Sequence, residues 1–220
     1  MSFARGASLG EDHRMDDVRP ASNTSDPSAV SAASWWVDAV RAIPLDTALR
    51  FGPPGFERYL RVEFGEEPDG ADDGWWPAGA VLDLLAAHSP GVALFVGIWE
   101  GWTSHGEVPA GPLLALPETP YLTFRRFVVA PCEAAHLFSA AARLWGRRPE
   151  WSVPPHLAWP ADRSWFFACD VDEEVEFTVG CSTVVAAALG AAFPERVREV
   201  GYGAYVPLEE GDPRERPQTP

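Results

Sequence analysis

The amino-acid sequence predicts an α+β fold, a largely antiparallel sheet with about three helices packed on it. Three observations lead there. Runs of strand length outnumber segments with helical periodicity, and several of those runs are joined by short connections. A chain of 220 residues with 46% apolar and 12% aromatic content also has the material for one hydrophobic core.

Residues 1–34 are rich in Ser, Ala, Asp and Pro and show no sustained apolar period, which predicts a disordered N-terminal tail. Residues 207–220 read the same way and leave a single α+β domain over 35–206. Within it, SWWVDAVRAI predicts a short helix capped by Ser34 and ended by Pro44. In ERYLRVEF, Leu60, Val62 and Phe64 alternate with Tyr59, Arg61 and Glu63, the signature of a strand with one wet face over 56–64. An acidic, glycine-rich loop follows at 65–74. Pro77 then opens a helix with Val81, Leu84, Leu85 and His88 on one stripe, stopped by Ser89, Pro90 and Gly91.

VALFVGIW is an unbroken apolar run and predicts a central strand covered on both faces. LLALP and YLTFRRFVV, separated by Glu118, Thr119 and Pro120, predict an antiparallel hairpin. Pro131 starts a helix whose apolar face is Leu137, Phe138, Ala141, Leu144 and Trp145. A proline-interrupted connector from Pro149 to Pro160 leads into SWFFACDV, a second buried strand. EVEFTV follows, with Val175, Phe177 and Val179 alternating with Glu174, Glu176 and Thr178 in a second half-exposed strand. Ser182 or Thr183 caps a closing helix that ends before Pro194.

Composition narrows the function. With 32 acidic and 17 basic residues the formal net charge is −15, which repels phosphate backbones and anionic lipid, so neither nucleic acid nor membrane is an expected partner. The imbalance belongs to the body: residues 35–206 hold 23 acids and 12 arginines. Every basic residue is arginine, which excludes a lysine P-loop, a Schiff base and a kinase-type lysine. No N-terminal apolar block resembles a secretory signal, and Cys132, Cys169 and Cys181 form no ligand or disulfide pattern, so a reducing cytoplasm is the expected location.

The candidate binding residues lie in four places. Glu100, between Trp99 and Trp102, is placed as a general acid in a tryptophan-lined cleft would be, or as an edge carboxylate beside core indoles. Asp162 and Arg163, between Trp159 and Trp165, suit a turn clamp in which a carboxylate accepts backbone N–H bonds and a guanidinium stacks on indole. Asp170 and Asp172 alternate at a strand end and share a face, which suits a hard cation or a solvated acidic turn. Cys181 precedes a helix start that favours an anion and a lowered thiol pKa, though an ordinary buried cysteine is the favoured reading.

WPADRSW, FFACDVD and VGCS over Trp159 to Ser182, with IWEGW and LPETPYLTF before them, resemble a widespread, functionally uncharacterised family of GC-rich Gram-positive bacterial proteins. The resemblance covers roughly residues 90–195 and implies a shared fold without a reaction. Cys181 departs from it, because a second glycine is usual there.

No catalytic set, metal site or cofactor is expected. The sequence favours a non-enzymatic binding or protein-interaction domain, including the immunity type, with a protein or small molecule as partner. Adjacent indoles such as Trp35 with Trp36 and Trp75 with Trp76 motivate it, because neighbours rarely all point inward. The alternative is a hydrolase or metal-assisted enzyme using Asp170, Asp172 and Glu100, with Arg163 holding an anionic substrate group.

Overall fold

The computed structural model describes residues 27–41, 43–65, 75–102, 113–115, 126–145, 153–171, 173 and 175–204; the side chains of 27–30, 102, 113 and 115 lie outside that description. Among the described residues eight strands form one sheet: β1 (Arg58–Glu63), β2 (Leu94–Trp99), β3 (Leu113–Ala115), β4 (Arg126–Cys132), β5 (Leu157–Pro160), β6 (Trp165–Ala168), β7 (Glu176–Cys181) and β8 (Val197–Val200). They lie in the order β3-β4-β2-β5-β6-β7-β1-β8, and every pairing is antiparallel. The fold is α+β.

Helices cover both faces. Alternate residues of a strand point to opposite sides, so Leu94 and Val96 join one cluster and Phe95 the other. On the first face α3 (Ala78–Ala87), α4 (Ala140–Leu144) and α5 (Thr183–Ala192) pack with Leu60, Val62, Phe167, Phe177 and Val179. On the second, α1 (Pro27–Val40) and α2 (Leu45–Phe51) pack through Trp36, Val40 and Leu49 on Phe95, Phe127, Trp159 and Phe166. Gly52 closes α2 at φ +70°, and a Cβ there would stand 2.3 Å from the Phe166 ring, so only glycine satisfies both the turn and the approach.

Among the described residues there are five α-helices, against the expected three or so. α2 was not foreseen, and α1 begins at Pro27, inside the stretch read as disordered, with the Ser34 hydroxyl donating to Ser31 O (2.9 Å) rather than capping. Pro131 does not open a helix: β4 continues through it to Cys132, and helical turns begin at Ala134. The connector read as irregular contains β5, and β8 was missed. The predicted hairpin pairs as β3 with β4, Leu114 opposite Phe127, while residues 116–125 between them lie outside the described residues. His88 follows α3 and is exposed rather than on its apolar stripe.

The larger corrections concern the two strands read as half exposed. Arg61 in β1 is fully buried, and β7 is buried at every position from Glu176 to Cys181, because α2 covers the face that the alternation assigned to water. No described helix is long and apolar enough to cross a membrane.

Candidate functional site

Antiparallel order sorts the candidate residues to two ends of the sheet. The turn joining β5 to β6 carries Asp162 and Arg163 at one end; the C-terminal ends of β2 and β6 carry Trp99, Glu100 and Asp170 at the other. Arg163 and Asp170 therefore stand at opposite ends of β6, so Arg163 is kept apart from Glu100 and Asp170, which share the other end. Asp172 and the Trp102 side chain lie outside the described residues.

Asp162 Oδ1 accepts the Ser164 N–H (3.0 Å) and so tightens its own turn. Arg163 takes φ +60° and sets its guanidinium 5.1 Å from the Trp35 ring, joining the turn to α1; the stacking partner is neither Trp159 nor Trp165. Trp159 is core, stacked with Phe95 and Phe166 at 5.9 Å each. None of the eight described tryptophan side chains is fully exposed: Trp36 is buried, and Trp35, Trp75 and Trp76 are half-buried.

At the other end Trp99 is half-buried and folds over Gly101, where an added Cβ would meet the indole at 2.2 Å. Glu100 pairs with Arg126 of β4, and Asp170 Oδ1 accepts the Val171 N–H (2.7 Å) just past β6. Among the described residues no group of three or more His, Cys, Asp and Glu is placed to hold a metal ion.

The densest polar cluster was not foreseen. Arg61, in mid-strand and facing α2, donates to Thr178 Oγ1 (2.7 Å), to Glu176 O (2.9 Å) and to the Glu173 carboxylate. Its Nε lies 3.0 Å from Glu176 Oε1 without the alignment of a hydrogen bond. Arg50 reaches Glu173 Oε1 from α2 with Nη2 at 3.0 Å, and Arg198 of β8 pairs with Glu176. Glu176 thus separates two arginines that face each other across β1 and β8. Burial pushes the Glu173 carboxyl up from the usual carboxylate range, while Arg61 and Arg50 pull it back. The signal was present as an arginine between apolar neighbours in β1 and a glutamate between apolar neighbours at the start of β7, but period two reads both as solvent-facing.

The acidic segment 66–74 lies outside the described residues, but its two flanks do not. Phe64 N–H donates to Val175 O (2.8 Å), and Gly65 bridges Trp76, closing the flanks of that segment. Arg196 stacks over Trp76 at 4.8 Å and donates to Phe64 O (2.9 Å), so its guanidinium joins the two flanks.

Cys181 ends β7 fully buried, and burial, helped by Glu57 and Glu199, pushes its thiol up to about 12. The anion expected at the start of α5 is a carboxylate of the chain itself: the Thr183 N–H and hydroxyl both donate to Glu57 Oε2 at 2.8 Å. The Thr183 N–H bond leads in drawing the Glu57 carboxyl below its usual value. No protein-family model, curated protein or solved structure matches this chain.

Proposed function

We propose that the chain is a non-enzymatic protein-binding domain that engages a basic surface on its partner, as an immunity-type protein masks a cationic protein. One observation carries the reading. Of the nine arginines among the described residues, eight are occupied by the chain's own carboxylates or indoles, through the pairs at Arg41, Arg50, Arg58, Arg61, Arg126 and Arg198 and the ring contacts of Arg163 and Arg196. The acids outnumber them, and Asp46, Glu63, Asp83, Glu133 and Glu195 are exposed. The field outside the protein is therefore negative, which speeds encounter with a cationic partner and rejects anionic ones. Three free cysteines suit a reducing cytoplasm as the place of action.

The test is affinity capture of the full chain from its native extract at low and raised salt, with mass spectrometry of what is retained. A stoichiometric basic protein, released by salt and lost when Glu63 and Glu195 are both replaced by arginine, is the expected result. Free monomer under all conditions, or turnover of a small molecule abolished by Glu100→Gln, overturns the reading.

A further inference from the structure

We infer that the outer face of α5 is the docking surface for the partner, and that the segment it receives is an amphipathic helix with basic residues flanking a narrow apolar stripe. The inference rests on the proposed function and gives that binding a place. From Val184 to Ala192, α5 holds no charged or hydrogen-bonding side chain. A helix that is apolar all round is normally covered all round. Here only one side is covered: Val185 and Leu189 are buried in the core, whereas Val184, Ala187 and Ala191 are exposed at the i, i+3 and i+7 spacing of a single face. Val184 is 70% exposed, the one large apolar side chain left so among the described residues. α3 packs beside α5, and its exposed Ala80 and Ala87 are small too, with Asp83 between them.

Charge decides the occupant. Glu57 stands at the N-terminal end of α5, bound to Thr183, and Glu195 just past its C-terminal end, with Asp83 on the neighbouring helix; all three are exposed. The cations close by are taken. Arg58 pairs with Glu199 at 3.1 Å, and Arg196 lies over Trp76 at 4.8 Å. Arg143 stands near Cys132 of β4, five strands from the β1 that α5 packs on, and so about 24 Å away across the sheet. The apolar face is therefore bordered by uncompensated acid at both ends.

A second copy fits this face badly. It would set acid against acid whichever way the two α5 helices ran, and at a net charge of −15 the copies repel before contact. A partner helix with lysine or arginine at each end of its apolar stripe, about 15 Å apart, meets both acidic ends at once. The alanines of α5 let the two helix axes approach to about 8 Å, and Val184 then enters a groove of the partner.

The test titrates the full chain, labelled with nitrogen-15, with a synthetic helical peptide that carries an alanine and leucine stripe between lysines, and with the same peptide carrying glutamates for lysines. The lysine peptide should shift the amides of Val184–Ala192 more than those of any other element and bind more weakly as salt rises, while the glutamate peptide should not bind. Val184→Lys, at a position too exposed to disturb the fold, should weaken the lysine peptide about tenfold and leave the β7 amide shifts unchanged; Ala187→Lys should do the same. Shifts spread over the acidic surface without preference for α5, or equal affinity for wild type and Val184→Lys, overturn the inference. So does a dimer dispersed by Val184→Lys, which makes a second copy the occupant, or a set of nuclear Overhauser contacts from the Val184 methyls to residues 205–220, which makes it the chain's own end. Affinity capture from native extract with wild type and Val184→Lys separates the inference from the reading it rests on. A basic protein retained equally by both removes the site and leaves the function; capture of nothing by either removes both.

Discussion

Two carboxylate–guanidinium pairs in this molecule have the same chemistry and opposite surroundings. Arg61 and Glu173 are both 0% exposed, between β1, α2 and the connection after β6. Glu100 and Arg126 pair at the rim of β2 and β4, where the arginine is 47% exposed. In the first pair neither charge has water to fall back on, so each is tolerable only while the other is present; in the second, solvent replaces either partner at little cost. The comparison shows why an ion pair cannot be valued by its distance, and why the buried one dictates the fold around it.

Removing Arg61 is the sharpest way to test that difference. Arg61→Met keeps most of the side-chain volume but leaves Glu173 and Glu176 facing each other with Arg50 and Arg198 at their outer edges. Loss of one partner from a buried network costs about 3–5 kcal/mol, measured as a shift in the denaturation midpoint at unchanged slope. A loss below about 1 kcal/mol would mean that water reaches the cluster and that the two pairs are alike.

Glu57 supplies an intermediate case, an exposed carboxylate fixed by hydrogen bonds rather than by a cation. Its native pKa is lowered from the usual 4.5, mainly by the Thr183 N–H. A lowered native value means that its stabilising contribution is fully present above pH 4.5 and is lost as pH falls through the native value. Acid titration of wild type against Glu57→Gln, followed by hydrogen exchange at the start of α5, should show steeper loss in the wild type. Parallel curves would show that the cap does not titrate with the fold.

Much of the sheet was legible in the sequence, because Phe95, Phe166 and Phe167 sit in unbroken apolar runs that only a covered strand explains. The cap and the end of α5 were legible for a local reason: Ser182 Oγ accepts the Val185 N–H within one turn. What failed was tertiary. Period two assigned Arg61, Glu176 and Thr178 to solvent, and only α2, a seven-residue helix with too little sequence to show a period, turns that face inward. Likewise Trp35 reads as a surface indole until Arg163, distant in sequence, is seen to cover it. Sequence spacing reports which face of an element is polar; it does not report what packs there.

The rim pair completes the comparison with the smallest expected effect. Glu100→Gln leaves Arg126 half in water, so destabilisation should stay below about 1 kcal/mol and shrink further as salt is raised. Arg126→Gln should do no more, although the Glu100 side chain it leaves is only 12% exposed. That asymmetry is the informative part. If Arg126→Gln proves clearly costlier than Glu100→Gln, Glu100 is already partly desolvated and the rim belongs with the interior. Equal small losses keep it with the surface, and urea denaturation of the two variants at low and high salt distinguishes the cases.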